Sequence, residues 1–259
     1  MDTENYTYGE LFNEVNARTG GIAYGIEVFD DAQDTDAFRA MFAVRGKALY
    51  PEMDFMFSMI REVLTTSKLD DTKRLYEIIA RVRSRAQASL ASAGHSTAVL
   101  RGASYASPMA AFQDEMAGIG YYQFIEKLEK DFEQRKEETV EELCKLMKEI
   151  LRPENFMTSY TGERESLETV QKLAGAVKAG LGTEPVEKSK EKLTCTKKNE
   201  GFKTSGQVQY VAQTGNFKKK GLEYTGALEI LKVILSYDYL WMNLRVKGGA
   251  YGCMSGFKR

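Results

Sequence analysis

Histidine is nearly absent from this chain: His95 is the only one in 259 residues, beside three cysteines, four prolines and a single tryptophan. One imidazole excludes any metal centre that needs two histidines from within these residues. Cys144, Cys195 and Cys253 are odd in number and far apart, which indicates reduced thiols and neither a disulfide framework nor a zinc knuckle. No run of about 18 apolar residues is available for a membrane span. Lysine plus arginine (36) almost balances aspartate plus glutamate (37), and a formal charge of -1 gives no reason to expect nucleic acid as a partner. The opening MDTENYTYGE is acidic and polar, unlike a secretory signal, so a cytoplasmic setting is expected.

What is present is an ordinary globular composition, 43% hydrophobic and 28% charged, with enough length for one large or two ordinary domains. Ile22, Tyr24, Ile26 and Val28 alternate as one face of a strand ended by Asp30-Asp31, and Phe38 to Val44 reads as a second strand, apolar on both faces. Beyond Pro51, the residues Met53, Met56, Phe57, Ile60, Val63 and Leu64 recur at helical spacing, and core filling is the expected use of the methionines. Asp70-Asp71-Thr72 offers capping oxygens to a second helix carrying Leu75, Ile79, Val82, Ala86 and Leu90 as far as Gly94. Arg81, Arg83 and Arg85 fall off that stripe and read as a solvated face. His95 then stands at the helix's end, where a capping or hydrogen-bonded role is expected.

Ser107-Pro108 is a helix start with Met109, Phe112, Met116 and Ile119 on one side. Gly118 and Gly120 weaken it before Tyr121-Tyr122, which are expected to pack near the surface. A long charged helix follows from Glu126 to Glu149, stopped ahead of Pro153. The pairs Glu137-Glu138 and Glu141-Glu142 belong to its solvated face, because adjacent helical residues diverge. A domain boundary at 152/153 is expected. Phe156, Thr158 and Tyr160 alternate as a short strand, and Leu167, Val170, Leu173, Ala174 and Val177 form a helix ending near Gly180.

Thr183 to Thr204 reads as an exposed connection, its Lys188, Lys190, Lys192, Lys197 and Lys198 offset by Glu187, Glu191 and Glu200. Gln207 to Thr214 alternates sharply, Val208, Tyr210 and Ala212 against Gln207, Gln209 and Gln213, and gives the clearest strand signal of the chain. Tyr224 to Trp241 is apolar around most of a helix and is expected to be buried under a sheet.

The string Leu244-Arg245-Val246-Lys247-Gly248-Gly249-Ala250-Tyr251-Gly252 reads as a final strand. An even offset places Arg245 and Tyr251 on one face. Arginine offers a fork of N–H donors and tyrosine a phenolic O–H, both suited to a carbonyl or carboxylate, while Gly248-Gly249 permits close backbone approach. An R-x5-Y spacing alone is a weak motif.

With the preceding YLW and the upstream QYVAQTGNF, LRVKGGAYG resembles the C-terminal half of the insulinase/pitrilysin family of inverted zinc peptidases, in its presequence-protease branch. The resemblance runs over most of the chain and is specific mainly from Gln207 to Gly252. It implies an α+β fold of antiparallel sheets packed against long helices: a nearly complete third-domain-like unit over 1–152, then an incomplete final domain over 153–259. The implied activity of the whole protein is zinc-dependent hydrolysis of unstructured peptides inside a chamber closed by two halves. Zinc and its H-x-x-E-H motif are expected in an N-terminal catalytic half that this chain lacks. That half and the unstructured peptide are the expected partners, with no nucleic acid and no membrane.

The chain would be inactive alone. It would supply no catalytic residue but substrate support from Arg245, Gly248, Gly249 and Tyr251. The alternative is a non-catalytic peptide-binding or scaffold subunit of the same fold. For an independent enzyme built on Cys253 or His95, no nucleophile, base and orienting group are identifiable together.

Overall fold

The computed structural model describes residues 1–186, 193–204 and 206–258. The chain has an α+β fold of two compact units, Met1–Gln213 and Thr214–Arg259. Lys188, Lys190, Lys192, Glu187 and Glu191 of the expected connection lie outside the described residues.

In the first unit, helix α1 (Tyr8–Arg18) begins with a capping box: the Thr7 hydroxyl accepts from the Glu10 N–H while the Glu10 carboxylate accepts from the Thr7 N–H. Strands β1 (Ile22–Asp30) and β2 (Phe38–Gly46) form an antiparallel ribbon with Ile22 opposite Gly46 and Asp30 opposite Phe38. Among the described residues it is the only sheet, so the expectation of several sheets reduces to this ribbon. β2 is not buried on both faces either, since Arg39, Ala40 and Phe42 are exposed.

Helix α2 (Met53–Thr66) buries Met53, Phe55, Met56, Met59, Ile60 and Leu64, so its methionines fill core. Met56, Ile60 and Leu64 meet Val177 of α7 (Leu167–Ala179), with Ile22, Val44 and Phe156 packed around them. Phe156 makes that contact from extended chain. The strand expected at Phe156, Thr158 and Tyr160 does not form, because no neighbouring strand among the described residues takes its backbone hydrogen bonds.

A second core lies between α3 (Thr72–Ser92) and α6 (Ile119–Ile150). Leu75 and Ile79 of the first meet Ile125 and Phe132 of the second. Asp71 caps α3 through the Arg74 N–H at 2.9 Å, as its position before the apolar stripe predicts. Arg83 is not simply a solvated arginine: its Nε donates to Glu129 at 2.6 Å and ties α3 to α6. Helix α4 (Gly94–Ser104) follows α3 after the single joint residue Ala93, and α5 (Pro108–Ala117) starts on the Ser107 cap. His95 therefore sits in the first turn of α4 and not at a C-terminal cap, since Gly94 opens a new helix.

The second unit holds α8 (Gly226–Ile234), continued without a break by a π-helix, π1 (Leu235–Lys247). Its tail folds back along the helix, where the Ser255 hydroxyl meets that of Ser236 at 2.9 Å. Phe217 packs near Tyr224 and Phe257, with ring centroids 6.5 and 6.4 Å away. Two expectations are corrected here. The Tyr224 to Trp241 run is helical from Gly226 but not buried, with Ile230 at 66% and Tyr237 at 68% exposure. The final strand from Leu244 is absent: the chain stays helical through Lys247, because a helix closes its own backbone hydrogen bonds and a strand needs a partner. The same reason applies to Gln207 to Thr214, which forms no strand and leaves Val211 at 85% exposure. No described helix is long and apolar enough to cross a membrane.

Candidate functional site at the end of the π-helix

Arg245 lies in the last turn of π1, and Tyr251 stands just past it. The helix is closed by a turn that resembles a Schellman motif widened by one residue. The Ala250 N–H donates to Leu244 O at 2.9 Å and the Gly249 N–H to Arg245 O at 3.1 Å. Both glycines are required by geometry. A Cβ on Gly248 would stand 2.7 Å from Leu244 O, and Gly249 has φ +72°, the left-handed region.

This turn, and not strand alternation, brings Arg245 and Tyr251 together. Arg245 Nη1 donates to the Tyr251 carbonyl oxygen. Its guanidinium lies 4.5 Å from the centre of the Trp241 ring and 5.9 Å from that of Tyr251. Tyr251 is 91% exposed, which leaves its phenol at the surface of the unit. Arg245 is thus pinned at one donor and backed by an indole, with a planar fork of further N–H groups on the same turn as the exposed Tyr251. Such an arrangement suits a carbonyl-bearing chain. Sequence reasoning did not give Trp241 a role, although W-x-x-x-R spacing on a helix was a signal for it.

The other candidates are dispersed. His95 packs near Tyr210, with ring centres 6.1 Å apart, and belongs to no group of reactive side chains. Cys144 is exposed, Cys195 and Cys253 are intermediate, and no two of them form a disulfide. The described residues contain no group of three or more His, Cys, Asp or Glu side chains placed to hold a metal ion, so they would not hold the zinc, which the resemblance assigns to the N-terminal catalytic half.

A polar cluster that local sequence patterns did not reveal lies in the first unit. Arg101 on α4 donates through Nη1 to Asp114 at 2.7 Å, and through Nε and Nη2 to Glu200 at 2.8 and 3.0 Å. The Tyr105 hydroxyl also donates to Glu200. Arg101's hydrogen bonds, helped by Tyr105 and the neighbouring positive charges against partial burial, hold the Glu200 carboxyl down at about 2. Its charged and hydrogen-bonding groups are satisfied by one another, which marks the cluster as structural.

Helix-rich cores, a short ribbon and an exposed Arg/Tyr turn define an α+β chain without a metal centre among its described residues. Comparison with known families supplies the class. The family of peptidase M16-C associated domains matches residues 1–128, and the PreP C-terminal domain matches 199–259, including the Arg245 turn. Protein HypA of Clostridium perfringens is 35% identical over 257 residues, covering 99% of this chain and 26% of that protein. Presequence protease 1, chloroplastic/mitochondrial, of Arabidopsis thaliana is 26% identical over 99% of this chain and 24% of its own length. The mitochondrial presequence protease of Yarrowia lipolytica is 27% identical over 97% of this chain and 26% of its own. The chain belongs to the insulinase family of peptidases, in its presequence-protease branch. It spans about a quarter of the length of these curated relatives.

Proposed function

We propose that this chain is the substrate-holding portion of a zinc-dependent peptidase that degrades unstructured peptides inside a chamber closed by two halves. Arg245 and Tyr251 grip the peptide backbone near the bond to be cleaved, while Gly248 and Gly249 let that backbone come close. The observation that carries the reading is the pinned Arg245, seated on Trp241 beside the exposed Tyr251, within the stretch matched by the PreP C-terminal domain. Positioned N–H and O–H donors hold a carbonyl in orientation and stabilise charge developing on its oxygen. The described residues supply this support and no bond-breaking group.

The zinc and the catalytic half are partners that this reading assigns to the rest of the whole protein. A division of the whole protein's domains at 152/153, distinct from the two compact units that divide at 213/214, is part of the same proposal. So is a reducing, cytoplasmic setting, supported by three cysteines that form no disulfide with one another.

Arg245→Ala and Tyr251→Phe in the whole protein test the assignment. Each is expected to lower peptide turnover by about a hundred- to a thousandfold, on the scale of one lost donor in an oxyanion-type site, with the fold retained. Unchanged turnover in both variants would remove the assigned roles and leave a scaffold in their place.

A further inference from the structure

The segment ahead of the second unit is fastened to α4 at both ends of that helix. At the C-terminal end, Glu200 lies in the fork of Arg101, at 2.8 Å from Nε and 3.0 Å from Nη2, and accepts from the Tyr105 hydroxyl as well. Lys198 Nζ stands 3.9 Å from the same carboxylate, and Phe202 places its ring centre 5.8 Å from the guanidinium. At the N-terminal end, the Tyr210 ring lies against Gly94. A Cβ on that glycine would collide with the ring, its Cγ only 3.1 Å away, and the His95 ring is centred 6.1 Å off. Glycine makes this a notch.

The lengths agree with a strap. An eleven-residue helix spans about 16 Å, and ten residues reach at most about 33 Å, so the number of residues between Glu200 and Tyr210 is enough to pass from one end of α4 to the other. One fastening is a bidentate charged pair and the other is van der Waals contact on a ring. They share no side chain, so loss of one leaves the contacts of the other intact.

We propose that residues 197–204 and 206–210 form a strap along α4 with two fastenings that open independently, Glu200 in the Arg101 fork and Tyr210 in the Gly94–His95 notch. The chain leading to Thr214 then has a fully held state, two partly released ones and a fully released one. This inference does not depend on the peptidase reading.

Each fastening has its own reporter in the full chain. Lys197, Lys198 and Lys203 are tryptic sites on the Glu200 side, where cleavage needs the strap to lift. His95 is the only imidazole, so its ring protons give an unambiguous NMR report on Tyr210. Glu200→Gln is expected to speed nicking at those lysines by about tenfold or more, with the His95 resonances unmoved. Tyr210→Ala is expected to move the His95 resonances and to change the nicking rate by less than about twofold. Tyr105→Phe, which removes one of the donors to Glu200, gives an intermediate acceleration and guards against a general loss of fold in Glu200→Gln. Nicking of Glu200→Gln at the original rate overturns the ionic fastening. Movement of both reporters in either variant overturns their independence.

Discussion

Arg101 and Asp114 form the buried ion pair that holds the corner between α4, α5 and α6, with Nη1 and Oδ2 2.7 Å apart and Asp114 only 1% exposed. The same carboxylate accepts from the backbone N–H groups of Ile119 at 3.1 Å and Gly120 at 3.2 Å. Helix α6 starts on Gly118, which has no side chain to cap it, so its first N–H groups are satisfied from the end of the preceding helix. The negative charge also lies at the positive end of a 32-residue helix. One side chain thus caps α6, neutralises Arg101 and fixes the angle between two helices.

Asp114→Ala is therefore expected to be strongly destabilising. Breaking a buried pair typically costs about 3–5 kcal/mol, and Arg101 keeps Glu200, which places the expected loss near the lower end, about 3 kcal/mol. Asp114→Asn keeps an acceptor for the α6 N–H groups and recovers part of that. Urea unfolding of the full chain measures both. A loss under about 1 kcal/mol for the alanine variant would show that the corner is held by packing instead.

Phe132 gives a second stability test with an internal control. It is 1% exposed on α6, enclosed by Leu75, Ile79 and Ile125, with the Tyr76 ring centred 5.6 Å away. Phe132→Ala removes a buried ring and leaves a cavity, a loss of about 3–5 kcal/mol. Phe124 lies on the same helix but is 57% exposed. Phe124→Ala is expected to cost less than about 1 kcal/mol, so equal losses in the two variants would contradict the packing of α3 on α6.

The parts of the fold legible in the sequence are those governed by neighbours along the chain. Asp71 before the Leu75–Ile79 stripe and Ser107-Pro108 before Met109 mark helix starts by local chemistry, and both cap as expected. The alternation of Val208, Tyr210 and Ala212 is just as clear, but it says only that the segment is suited to a strand. Whether a ladder forms depends on a second strand alongside, and among the described residues β1 and β2 pair only with each other. The same limit governs the site. Arg245 and Tyr251 do meet, but through a glycine turn at the end of a helix whose persistence beyond Trp241 follows from the missing sheet partner. Arg101 and Glu200 are 99 residues apart, and no local pattern links them.

Glu200 also makes acid stability informative. Its carboxyl falls from the ordinary 4.5 to about 2, chiefly through the Arg101 hydrogen bonds. A carboxyl with a lower value in the folded state favours the fold when ionised. That contribution is complete above about 4.5 and is lost as the pH drops towards 2. Glu200→Gln is thus expected to be less stable than the parent at pH 7, with the gap closing steadily between pH 4.5 and 2. Thermal unfolding across that range tests this, and a gap that stays constant with pH would mean that the ionised pair contributes nothing.

The single tryptophan makes the Arg245 site directly observable. Trp241 is 41% exposed, and the Arg245 guanidinium covers its ring at 4.5 Å. Removing that cover in Arg245→Ala brings water to the indole face, so its emission is expected to move to longer wavelength. Arg245→Lys restores charge but no planar group to stack, and an intermediate position follows. Tyr251→Phe is expected to leave the spectrum unchanged, because Arg245 bonds the Tyr251 carbonyl and not its phenol. The three spectra together separate a seated arginine from a freely moving one. If Arg245→Ala leaves Trp241 emission unmoved, the guanidinium does not rest on the indole in solution, and the shelf that would orient Arg245 towards a peptide carbonyl disappears from the functional proposal.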